Sequence, residues 1–295
     1  MVIAAVVVED LFHLSFERFK DVIAGCLGKI DEGLTNLSRL DVVVVDTITS
    51  SYHLDDVLGE LYSLIRSVLI ERSFPLLPLS VLLQGFNRDI LHWDYCFASS
   101  EEMLRHERYD YRTFHKIVLP IGQSSPSQPG SAYSNDHNSY KVTALGGTFD
   151  HIHDGHKILL SMASFLTSSR LIVGLTAEEL LVKKRYKDEL QSFEKRRASV
   201  IHFVNAFKPE LRVEIIPLRD ICGPTGTVPE IEALVVSRET IQGGELVNKT
   251  RKEKGMKELE IHIVNVLGGE ETDGWGEKMS STDIRRMIHE GKTKI

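Results

Sequence analysis

Cysteine is scarce: Cys26, Cys96 and Cys222 are the only three in 295 residues, and no two stand at Cys-x-x-Cys spacing. A disulfide framework or a structural zinc site is therefore not expected, and a reducing, cytoplasmic (or nuclear) location is. Long apolar runs are lacking too, because no stretch reaches the roughly 20 residues of a membrane helix. The apolar opening Val2–Val8 has no basic flank and runs into Glu9 and Asp10, so it reads as a buried strand rather than a signal peptide. Positive charge is in deficit, with 35 Lys and Arg against 42 Asp and Glu and a net charge of −7. Nothing global attracts nucleic acid or an anionic membrane, so an anionic ligand must be held by a local cluster of cations. The phosphate-binding pattern Gly-x-x-x-x-Gly-Lys-Ser/Thr is absent, which excludes a P-loop kinase. No internal sequence repeat is evident.

What remains is an ordinary globular composition, 42% hydrophobic and 26% charged, in a chain long enough for two domains. Residues 122–139 are rich in Ser, Pro, Gly, Asn and Gln and hold no Lys or Arg, so they read as a linker between a domain over 1–121 and one over 140–295. In the first domain, Val-rich runs at Val2–Val8, Val42–Val45 and Leu76–Leu83 alternate with a helical stripe from Leu54 to Leu69. This is α/β patterning. The aromatic tract His106–His115 reads as a solvated connection before a strand over Lys116–Pro120. In the second domain strands and helices alternate more clearly. Strands fall at Lys141–Leu145, Leu171–Leu175, Val213–Ile216, Ala233–Val236 and Ile261–Val266; helices fall at Gly155–Ser168, Glu194–Phe207, Thr240–Lys254 and Thr282–His289. That order gives a Rossmann-like, doubly wound parallel sheet with its ligand crevice beyond the carboxyl ends of the strands.

The chemistry clusters at those ends. Leu145-Gly146-Gly147-Thr148-Phe149-Asp150-His151-Ile152-His153-Asp154-Gly155-His156 is a strand end, a glycine turn and a helix start. Glycines let backbone N–H groups approach a phosphate, the helix start adds unpaired donors, and His153 and His156 stand at its mouth. Capping by Asp154 is the plainer alternative for part of this pattern. Zinc is disfavoured because no Cys or Glu completes a ligand set around His151, His153 and His156. A second helix start, Lys278-Met279-Ser280-Ser281-Thr282-Asp283-Ile284-Arg285, offers three hydroxyls and two cations, more than an N-cap needs. Between Lys183 and Arg197 lie seven basic and three acidic residues; Lys183 and Lys184 are the ligand candidates there, and Arg196 and Arg197 read as a solvated helix face.

Together, Gly-Thr-Phe-Asp, His-x-Gly-His and Ser-Ser-Thr-x-Ile-Arg resemble the nucleotidyltransferase superfamily. The intervening Pro217-Leu218-Arg219-Asp220, Gly223-Pro224-Thr225-Gly226 and Val235–Gly244 resemble the phosphopantetheine adenylyltransferases of eukaryotes, in a fungal order of domains whose N-terminal region has no assigned role. The likeness runs from Tyr140 to about Gly291. It implies that ATP and 4′-phosphopantetheine give dephospho-CoA and pyrophosphate by in-line attack, with magnesium carried on the ATP phosphates and a separate kinase completing CoA. By the same resemblance Thr148 would orient the attacking phosphate, and His156, assisted by His153, would stabilise the transition state. Lys183 would bridge nucleophile and α-phosphate, although Lys184 stands beside it. Gly146, Gly147, Phe149 and Gly155 would surround the nucleotide, while Ser280, Ser281, Thr282 and Arg285 would hold the β- and γ-phosphates. Arg238 departs from the family pattern, which often has an acidic residue there. Two alternatives share these motifs: a cytidylyltransferase or other nucleotidyltransferase, and a subunit acting mainly in assembly with other CoA-pathway enzymes.

Overall fold

In the computed structural model, residues 1–30, 36–122, 135–265 and 279–291 are described. The chain divides into two compact units, Met1–Ser134 and Asn135–Ile295. Of the expected linker, residues 123–134 lie outside the described set. Its last residues are held by the second unit: the Asn138 N–H donates to Phe165 O at 3.0 Å, and Asn138 Oδ1 accepts from Lys208 Nζ at 2.5 Å.

The first unit runs β1 (Val2–Val8), α1 (Phe16–Leu27), β2 (Leu37–Val44), α2 (Ser51–Glu71), β3 (Leu79–Leu83), β4 (Trp93–Ala98), α3 (Glu101–His106) and β5 (Tyr111–Lys116). The sheet is parallel throughout, in the order β3-β2-β1-β4-β5. Ala4 to Val8 at its centre are wholly buried, as expected of a strand covered on both faces. The expected strand over Lys116–Pro120 is corrected to Tyr111–Lys116, which pairs with β4 from Trp93↔Tyr111 to Ala98↔Lys116. This is an edge strand whose side chains are only partly buried, so it carries no unbroken apolar run to betray it. Beyond it the chain folds back, with Ser15 N–H donating to Pro120 O and Leu14 bridging Ile121 antiparallel.

The second unit runs β6 (Tyr140–Gly147), α4 (Asp154–Leu166), β7 (Thr167–Thr176), α5 (Phe193–Phe207), β8 (Arg212–Leu218), β9 (Ala233–Ser237), α6 (Ile241–Glu253), β10 (Glu260–Val264) and α7 (Ser281–His289). Its strand order is β10-β9-β6-β7-β8, again all parallel. The boundaries differ from the sequence expectation by a few residues, and Val266 lies outside the described set. Helix α4 ends at Leu166 because Thr167 already begins β7; its hydroxyl donates to Ala163 O at 2.6 Å and meets that of Thr143.

The two units share more than a class. Each follows the succession β-α-β-α-β-β-α-β, and numbering the second unit's strands from β6 gives the same spatial order as the first; the second then adds α7. The topology therefore repeats although the sequence shows no repeat. In both units the chain reverses its direction of travel across the sheet beside the first strand, so β1/β4 and β6/β9 are the switch points at which open α/β sheets take ligands.

Candidate active site

The β6 strand delivers Gly146 and Gly147 to the switch point. A Cβ on Gly147 would lie 3.0 Å from the Phe149 ring, and one on Gly174 of the neighbouring β7 would lie 2.6 Å from Leu218, so a side chain at either position would force its neighbour to move. Phe149 and His151 then take left-handed backbone conformations, with φ of 50° and 43°. For residues of this size such strain costs about 1–3 kcal/mol each and persists only where surrounding contacts enforce it.

Those contacts meet on Asp150, which is fully buried. Its Oδ1 accepts from Gln191 N–H at 2.9 Å and its Oδ2 from Arg285 Nη1 at 2.5 Å; its carbonyl accepts from Ser281 Oγ at 2.8 Å. Three segments distant in sequence are thereby fastened together: the β6–α4 turn, the loop before α5 and the first turn of α7. Arg196, also fully buried, ties the same turn to the sheet, with Nη1 donating to Thr148 O at 2.8 Å and Thr176 O at 3.0 Å, and Nε donating to Gln191 O at 3.1 Å. Arg196 on a solvated face is thus corrected. Its spacing to Val200, Phe203, Val204 and Phe207 puts it on the apolar stripe of α5, and that spacing was the signal available.

His153 is the N-cap of α4 and Asp154 its first residue, so Asp154 does not hold the N-cap position that the plainer alternative gave it. The His153 and His156 rings stack with centroids 3.9 Å apart, and His156 leans on Phe149 at 5.1 Å. Burial first, and the neighbouring His153 second, hold the His156 imidazole well below an ordinary histidine. It is neutral at physiological pH. Among the described residues its Nδ1 is buried without a hydrogen-bond partner, an expensive condition outside a functional site.

At α7, Ser280 is the N-cap and closes a capping box with Asp283. Hydrogen bonds from Ser280, ahead of Arg286 and His153, hold the Asp283 carboxyl below its usual range. The Ser280, Ser281 and Thr282 hydroxyls and Arg285, the expected phosphate ligands, are engaged within the protein in this structure. Ser280 caps, Ser281 is bonded to Asp150, and Thr282 Oγ1 accepts from Arg285 Nη2 at 3.1 Å. Arg285 is buried, with its Nε on Arg185 O. Of the first-turn N–H groups of α7, that of Asp283 is taken by the Ser280 cap, and those of Ser281 and Thr282 are the candidate anion donors. Phe149 and Gly155 are buried within the turn. Thr148 is half-buried, while Lys183 and Lys184 sit exposed on the turn after Leu181. Arg238 is exposed at the end of β9, and Lys278 lies outside the described residues.

Beside the glycines a cavity of about 200 Å³ opens between the ends of β6 and β9. Gly146, Gly147, Leu218, Cys222, Thr225 and Gly244 are among its walls, which are mainly apolar. Arg251, fully buried in α6, holds the loop on its far side by donating to Thr225 O at 2.7 Å and Val228 O at 3.1 Å. No group of three or more His, Cys, Asp or Glu positioned to hold a metal occurs among the described residues.

A parallel sheet whose first strand ends in a glycine turn, followed by stacked histidines at one helix start and a second helix start fastened beside it, defines a nucleotidyltransferase. The family described as cytidylyltransferase-like matches residues 144–287. The phosphopantetheine adenylyltransferase of Saccharomyces cerevisiae is 46% identical over 262 residues, 85% of this chain and 83% of that one. That of Pyrococcus abyssi is 36% identical, over 50% of this chain and 89% of its own. An uncharacterised Schizosaccharomyces pombe protein is 36% identical over 55% of this chain and 53% of its own. The chain belongs to the phosphopantetheine adenylyltransferase family. The yeast match is longer than the second unit, so the likeness extends into the first.

Proposed function

We propose that the second unit transfers the adenylyl group of ATP to 4′-phosphopantetheine, giving dephospho-CoA and pyrophosphate. The observation that carries this reading is the fastening of the α7 start to the β6–α4 turn through Asp150, beside a glycine-lined cavity. The attacking phosphomonoester oxygen is already anionic, so it needs no general base. Its bond to the α-phosphorus forms as the bond to pyrophosphate breaks, and the protein aligns the two and stabilises the departing charge.

Neutral His156 supplies an N–H donor to that charge, assisted by His153, and the first-turn amides of α4 and α7 supply the rest. Thr148 orients the nucleophile, and Lys183 or Lys184 reaches the α-phosphate from the exposed turn. The cavity between β6 and β9 takes the uncharged part of a substrate. The carboxylates of Asp150 and Asp283 are already committed to Gln191 and Arg285 and to Ser280 and Arg286, so they do not fit a resident metal site. Magnesium belongs to the MgATP substrate.

The test is pyrophosphate release with 4′-phosphopantetheine across a nucleotide panel. Release with ATP far above CTP is expected; CTP preference would favour a cytidylyltransferase, and no release above background would refute the transfer.

A further inference from the structure

The first unit presents its own switch point, and there too a cavity opens, of about 340 Å³. Glu9, Asp10 and Leu14 follow β1, Ser99 follows β4, and Lys116 and Ile117 follow the chain out of β5; all six line it. The position is that of a ligand crevice, but the chemistry at the strand end is reversed. Where β6 ends in Gly146 and Gly147, β1 is followed by two carboxylates. The backbone donor that opens the next turn is also spent, since Leu11 N–H donates to Asp46 Oδ2 at 3.1 Å. An internal carboxylate thus occupies a donor that a phosphate would use, and Glu9 and Asp10 repel phosphate as well.

The lining carries charge of both signs, the Glu9 and Asp10 carboxylates and Lys116, together with aliphatic Leu14 and Ile117; Asp10 Oδ1 also meets His13 Nδ1 at 2.5 Å. We propose that this cavity binds a small zwitterion of the amino-acid class, its ammonium against Glu9 and Asp10, its carboxylate toward Lys116 and its aliphatic part on Leu14 and Ile117. One property of Glu9 supports the polarity. Burial, then the charges of Asp46 and Asp10, raise its carboxyl above the usual range, a condition that an incoming cation relieves. The Glu9 carboxylate also accepts from Ser99 Oγ, linking the ends of the two switch-point strands. The proposal does not depend on the transfer reaction.

Isothermal titration of the full chain with L-leucine tests it, with cadaverine supplying amines alone and hexanoate a carboxylate alone. Saturable leucine binding is expected, about tenfold or more tighter than either comparison compound and weakened about tenfold or more by both Glu9→Gln and Lys116→Met. Adenylyl transfer by both variants should be unchanged. No saturable heat from millimolar leucine, equal binding of hexanoate or cadaverine, or undiminished binding by either folded variant would overturn the site. Melting followed by circular dichroism checks folding. Should Glu9→Gln fail to fold, the exposed Lys116 position decides alone.

Discussion

Both units wind five parallel strands in one order, yet their first strands lead into opposite surroundings. From β6 the chain passes two glycines into a strained turn fixed by a buried carboxylate and two buried guanidiniums, Asp150, Arg196 and Arg285. From β1 it passes Glu9 and Asp10 into a turn whose amide is answered by Asp46. The shared topology sets where a ligand crevice opens; the few residues beyond each strand set the charge it accepts. The residues beyond β6 therefore suit phosphate chemistry and those beyond β1 oppose it, although either sheet has the shape for it.

The largest expected effect falls on the anchor of that turn. Asp150→Ala leaves Arg285 buried without its partner, and the second unit should lose about 3–5 kcal/mol in urea unfolding while the first unit's transition stays put. A smaller loss, or one shared by both units, would show that the ion pair is not what holds the site. Next, His156→Ala should lower kcat on the order of 100-fold with ATP affinity little changed, because its contact tightens as charge develops. Glu9→Gln in the first unit should leave both parameters alone. A matching loss of ATP affinity would assign His156 to ground-state binding instead.

The pH dependence is a finer probe. His156 is held well below an ordinary histidine when folded, so as pH falls below about 6.5 the unfolded chain takes up a proton that the folded chain refuses. Its contribution to stability is full above that pH and declines as pH falls, by at most about 1.4 kcal/mol per pH unit, until the folded imidazole protonates. The difference in unfolding free energy between the native chain and His156→Gln, measured from pH 7 to 5, should show that slope. A flat difference would contradict the burial of the imidazole. The smallest expected change in stability is at the exposed lysines: Lys183→Ala and Lys184→Ala should each stay within about 0.5 kcal/mol of the native chain. One of them should slow transfer, and equal activity of both variants would remove this turn from the site.

How much was legible in the sequence follows from the kind of signal each residue carries. Strands covered on both faces, such as Val2–Val8 and Leu171–Leu175, announce themselves as apolar runs, and the glycines and histidines of the β6–α4 turn are local in sequence. Edge strand β5 was hidden because partial exposure mixes Arg112, His115 and Lys116 with Tyr111 and Phe114. Buried arginines are hard to read from sequence for a related reason. Arg196 and Arg285 look like solvent or phosphate contacts until their partners are known, and Arg285 meets Asp150 across 135 positions, beyond any periodic pattern. Ser280 is the opposite case: Ser-x-x-Asp at 280–283 has the form of a capping box, and the hydroxyl is used that way. Nor did the text of the chain disclose that one topology occurs twice, since the two first strands share no motif at their ends.

The most direct test is a crystal structure of the full chain with magnesium and a non-hydrolysable ATP analogue. The account predicts one triphosphate in the second unit, within hydrogen-bond distance of both the His156 imidazole and the first-turn amides of α7, and none at the ends of β1 and β4. A triphosphate that touches only one of those two helix starts, or that lies over Glu9 and Asp10, would contradict it.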